Sequence, residues 1–109
     1  MQLLVQVVCT RGKSLRESIA RHSKISEYGL VVSQQKNPER SNGWTKLHST
    51  RAGRDGAINV QWDANASILL ARIVTRGKGD PSLIAGDLVA FLLRRFRRRI
   101  HSINVVPPR

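Results

Sequence analysis

The chain has 109 residues, enough for one domain with a hydrophobic core and no need of disulfide staples. Its hydrophobic share of 40% excludes simple disorder, and its single cysteine, Cys9, excludes an intramolecular disulfide and a cysteine-rich zinc site. Nineteen Lys and Arg against seven Asp and Glu give a net charge of +12, a balance that favours polyanionic partners: nucleic acid, an anionic lipid surface or an acidic protein.

Met1 to Cys9 contains a short apolar run with no basic region before it and no small-residue cleavage site after it, so no signal peptide is expected. Gln2 to Thr10, rich in Leu and Val, reads as a strand buried on both faces or nearly so. After the turn Arg11-Gly12-Lys13, Ser14 and Glu17 have capping-box spacing and predict a short helix from Leu15 to about His22, with Leu15 and Ile19 inward. Gly29 to Ser33 reads as a strand, and Gln34 to Gly43, with Pro38, Asn42 and Gly43, as a loop or long turn. Trp44 to Ser49 reads as a strand with Trp44, Lys46 and His48 on one face and Thr45, Leu47 and Ser49 on the other.

Arg51 to Gly56 is a basic, Gly-containing turn. Ala57 to Trp62 and Ser67 to Thr75, joined by Asp63-Ala64-Asn65-Ala66, form the clearest hairpin. Asp80 followed by Pro81 starts a helix predicted to run to about Arg99, with Ile84, Leu88, Phe91, Leu92 and Phe96 as its apolar stripe. Ile103, Val105 and Val106 suggest a last strand, stopped by Pro107-Pro108. The expected fold is a single basic α+β domain over 1–109, with a mixed or mainly antiparallel sheet carrying two helices on one face, in the order β-α-β-β-β-β-α-β.

Charge is unevenly spread. Residues 72–109 hold nine basic and two acidic groups, net +7, more than half of the excess. Arg94, Arg95, Arg97, Arg98 and Arg99 crowd the end of the predicted helix. At about 100° per residue, Arg94, Arg97 and Arg98 would form a solvent-facing ridge, while Arg95 and Arg99 would fall on the stripe side. A planar guanidinium suits phosphate. One or two such groups would satisfy the helix dipole, whereas five without an acidic neighbour repel one another. A second set brackets loop glycines: Arg11 and Lys13, Arg51 and Arg54, Arg76 and Lys78. Gly12-Lys13-Ser14 mimics the tail of a phosphate-binding loop, but the glycine that motif needs five positions earlier is Val7, and Cys9 to Arg16 is one residue too long for a cysteine phosphatase loop.

Five aromatics are present. Phe91, Phe96 and Trp62 read as core, which leaves Tyr28 and Trp44 as exposed platforms, a thin set for base stacking. His22, His48 and His101 stand apart, and the carboxylates read as turn, cap and helix residues, so neither a metal, a cofactor nor a catalytic pair is expected. Together these point to a non-catalytic basic protein that contacts the DNA or RNA phosphate backbone through Arg94, Arg95, Arg97, Arg98 and Arg99 with Arg11, Lys13, Arg76 and Lys78. The alternative is an interaction or assembly domain with an acidic protein partner, or a homodimer through an edge strand. No apolar stretch reaches about 18 residues, so no membrane span is expected, and the lone cysteine fits a cytoplasmic setting.

Overall fold

The computed structural model describes residues 2–107; Pro108, half of the expected stop, lies outside the described residues, as does Met1. The elements are β1 (Gln2–Cys9), α1 (Leu15–Ala20), β2 (Leu30–Lys36), β3 (Trp44–Ser49), β4 (Gly56–Asp63), β5 (Ile68–Thr75), α2 (Pro81–Arg95) and β6 (Ile100–Val106). Short 3-10 turns at Ile25–Tyr28 and Arg97–Arg99 lead into β2 and β6. This is the expected order. One six-stranded sheet runs β2-β3-β4-β5-β1-β6, and every neighbouring pair is antiparallel.

The middle of the chain makes a meander, β2 to β5, by short reversals. β1 then pairs with β5, and α2 carries the chain past β1 so that β6 joins its free edge. β5 and β6 therefore run parallel to each other with β1 between them, and the C-terminal strand-helix-strand unit is split rather than directly paired.

Alternation along the strands sends one set of side chains into the core: Val5 and Val7 of β1, Ile58 and Val60 of β4, Leu69 and Ile73 of β5. Leu15 and Ile19 of α1 and the predicted α2 stripe, from Ile84 to Phe96, complete the same cluster. The reading of β1 as buried on both faces is corrected. Leu4, Gln6 and Val8 are only half-buried, because both helices cover the other side and leave this one open.

Helix ends follow from local chemistry and from packing. Asp80 Oδ1 accepts the Ser82 N–H at 2.9 Å and the Ser82 hydroxyl at 2.6 Å, and Pro81 fills the first helical position. α2 ends at Arg95, not Arg99. Phe96 leaves the helix with φ −132° while its ring stays 8% exposed, edge-on to Phe91 and His22 at 5.4 Å. The Arg99 carbonyl accepts the Thr10 N–H at 2.9 Å, which draws the chain into β6 at Ile100, earlier than the expected Ile103. α1 stops at Ala20, short of His22, and β2 runs past Ser33 to Lys36.

Candidate nucleic-acid interface

The arginine run does not form a single helical ridge. Arg94 and Arg95 occupy the last turn of α2, and Arg97, Arg98 and Arg99 form the 3-10 turn after it. Two of the five are structural ties. Arg95 Nε donates to the Tyr28 hydroxyl at 2.9 Å, its guanidinium stacks 5.7 Å from the Tyr28 ring, and Nη2 lies 3.7 Å from Glu27. Arg99 donates to the Ser18 hydroxyl and the Lys13 carbonyl, both at 2.7 Å, and lies over Phe96. Both sat on the stripe side of the helical projection, and their stems do reach back over the fold.

Arg94, Arg97 and Arg98 are exposed and meet no carboxylate or hydrogen-bond acceptor among the described residues. The run from Arg94 to Arg99 lines a shallow hollow of about 280 Å³. The Arg99 contacts to Lys13 and Thr10 bring the Arg11-Gly12-Lys13 turn alongside, with Arg11 and Lys13 also exposed and unpaired among the described residues. Gly12 supplies that turn with φ +142°, a conformation other residues rarely adopt. One corner, at the C-terminal end of β1 and the start of β6, thus gathers five free cations.

Other predicted cations lie elsewhere. Arg76 and Lys78 follow the C-terminal end of β5, which pairs with the N-terminal end of β1, so they are exposed at the opposite end of the sheet, about 23 Å away for eight residues of strand. Arg51 and Arg54 are held by Asp87: Arg54 Nη1 donates to its carboxylate at 2.6 Å, and Arg51 approaches to 3.8 Å. Asp87 falls between Ile84 and Leu88 on α2. A carboxylate beside an apolar stripe was the available sign of a buried ion pair, though not of its partner.

Tyr28 is corrected from platform to core, at 8% exposed, because it must cover Phe91 and receive Arg95. Trp62 is core as expected. Trp44 is half-buried on the side of the sheet that no helix covers, with Lys46 and His48 along the same strand. His22 packs edge-on against two phenylalanines, His48 lies on the open face and His101 on β6. No group of three His, Cys, Asp or Glu among the described residues comes together to hold a metal. Burial pushes the Cys9 thiol up, against the pull of Arg99 and a backbone contact, away from the reactive thiolate. No helix among the described residues is long and apolar enough to cross a membrane.

Compared with protein-family models, curated proteins and solved structures, the chain matches none of them. Its candidate site therefore rests on geometry and charge alone.

Proposed function

We propose that this protein is a non-catalytic nucleic-acid-binding module that grips phosphates with Arg94, Arg97 and Arg98 and the adjacent Arg11 and Lys13. One observation carries the reading: these five cations share a corner and have no anionic partner among the described residues, whereas Arg16, Arg21, Arg51, Arg54 and Arg95 are each matched to a carboxylate. An unpaired cationic cluster on a small domain is unfavourable on its own and is relieved by an anion. Guanidinium forks flanking a shallow hollow suit phosphate oxygens, and the resulting affinity is electrostatic and weakly sequence-selective.

The test is a salt titration of binding to double- and single-stranded DNA and RNA, run with a variant carrying Arg94→Ala, Arg97→Ala and Arg98→Ala. Binding that weakens steeply with salt, and less steeply in the variant, supports the corner as the phosphate grip. Equal binding by both proteins removes it.

A second reading draws on β6. This strand forms one edge of the sheet, and Val105 and Val106 on it are 51% and 47% exposed. An unpaired apolar edge of this kind favours strand addition, by a second copy or by a protein whose acidic surface meets the arginine corner. A concentration-dependent dimer in sedimentation, abolished by Val105→Lys, would favour it.

A further inference from the structure

The face of the sheet that the helices leave open is not a bland surface. Two hollows of about 300 and 470 Å³ lie along it, and a third of about 520 Å³ opens at the end of the sheet between the 41–43 segment and the β4–β5 turn, where Trp62 also borders it. The 520 and 300 Å³ hollows share Gln61 and Leu70, and the 300 and 470 Å³ hollows share Asn59, so the three adjoin in a line that follows β4 for about 20 Å, a shallow trough with its first hollow at the turn end. Trp44 walls the central hollow opposite Arg72, with the carboxamides of Asn59 and Gln61 between them. Register places Lys46 beside Asn59 and Asn59 beside Arg72, a cation-amide-cation line over three strands, and sets Lys36 beside Trp44. The trough leaves past Lys46, His48 and Arg76.

The charge here is one-sided. Lys36, Lys46, Arg72 and Arg76 have no partner among the described residues. Two carboxylates border the trough. Asp63 is turned into the β4–β5 turn, where it accepts the N–H groups of Asn65 and Ala66, and Asp55 stands at the far mouth. The near mouth begins at that same turn, whose Ser67 carbonyl accepts the Cys9 N–H at 2.9 Å, two residues before Arg11 of the basic corner.

We infer that this trough seats a single strand of nucleic acid, with a base stacked on Trp44, phosphates on Lys46, Arg72 and Arg76, and base edges against Asn59 and Gln61. The inference rests on the reading of the protein as a nucleic-acid binder and adds where the bases go. The favoured occupant follows from the chemistry. Cations alone would take any polyanion, but an aromatic wall and two carboxamides between cations match the alternation of base and phosphate in an unpaired strand. A duplex keeps its bases stacked and offers nothing to Trp44.

Trp62 is 7% exposed but borders the first hollow, so quenching is assigned to Trp44 by its loss in Trp44→Leu; quenching that persists in that variant comes from Trp62 and overturns the stack on Trp44. The experiment follows tryptophan emission while an oligo-U or oligo-dT of about 10 nucleotides, a length within the range one small domain covers, is added. Parallel titrations use a duplex and polyglutamate. The expected result is quenching by the single strands and not by the duplex or polyglutamate. Trp44→Leu should weaken single-strand binding about tenfold or more, Trp44→Phe should retain most of it, and Arg72→Gln should weaken it at low salt; thermal melting verifies that each variant is folded. Emission unchanged at saturation, or wild-type affinity in Trp44→Leu, overturns the trough. If the corner variant still loses affinity in that case, the phosphate-grip reading stands without it. Quenching by polyglutamate as well would overturn the base contact in favour of an acidic protein. No binding by the wild-type protein overturns both readings.

Discussion

Arg16 is 2% exposed and sits one residue from the capping glutamate, yet its role is long-range. Its guanidinium donates to the Glu17 carboxylate at 2.9 Å, to the Arg40 carbonyl at 2.8 Å and to the Gly43 carbonyl. Glu17 in turn accepts the Glu39 N–H at 2.8 Å. The capping box is therefore half-formed: the Ser14 hydroxyl accepts the Glu17 N–H, while the carboxylate of Glu17 serves the 37–43 loop instead. Arg16→Met should cost about 3 kcal/mol, because several charged hydrogen bonds vanish and Glu17 is left with less compensation. Denaturant unfolding should show it as a lower midpoint at unchanged slope. Burial opposes ionisation of Glu17, but the Glu39 N–H and Arg16 outweigh it and hold the carboxyl below its ordinary value of 4.5. A lowered folded-state value means stability that is present above the ordinary value and lost as pH falls through the folded one. Glu17→Gln should thus be less stable than the wild type at neutral pH. The gap between the two melting temperatures should close as pH drops below about 4.5; a gap that stays constant into acid would contradict the assignment.

Elements in this fold end where a side chain is more favourably buried than the backbone is continued. Helical periodicity carries α2 through Arg99, since nothing in Arg97, Arg98 and Arg99 breaks a helix. Phe96 ends it, because its ring completes the cluster with Phe91 and His22 while the backbone turns toward β1. Phe96→Ala should cost about 3 kcal/mol and speed amide exchange at Arg99 and Ile100, where the turn enters the edge strand. Unchanged exchange there would mean that β1 pairing alone holds the turn. The same logic explains the loop at 37–43. Gly43 is buried with the Lys36 and Asn37 carbonyls packed where a Cβ would stand, so this turn was readable from Gly43 and Pro38, but its anchorage to Arg16 was not.

Over the whole molecule, an antiparallel sheet with both helices on one side leaves two cationic surfaces exposed, the basic corner and the open face, and the proposed nucleic-acid binding assigns each a separate readout. The corner should set the salt dependence of binding. Each phosphate contact contributes about 0.7 to 0.9 to the slope of log affinity against log salt, so removing Arg94, Arg97 and Arg98 should flatten it by about 2 to 3. A slope that stays the same would show that these arginines touch no phosphate. The open face should govern discrimination between single strands and duplexes, which the trough variants measure.

The sequence by itself determined the element order, the start of α2 at Asp80 and Pro81, the apolar stripe and the excess of positive charge, because these follow from local periodicity, capping chemistry and composition. It also placed Trp44, Lys46 and His48 on one strand face. Tertiary structure alone decided which cations are free. Arg95 and Arg99 are tied back by Tyr28, Ser18 and the Lys13 carbonyl, Arg51 and Arg54 are taken up by Asp87, and Arg76 and Lys78 are separated from the corner by the length of the sheet. It also decided that one face of β1 lies open, since a run of Leu and Val looks the same whether one side or two will be covered. Pairings between groups tens of residues apart depend on strand order, and strand order is a property of the packed chain.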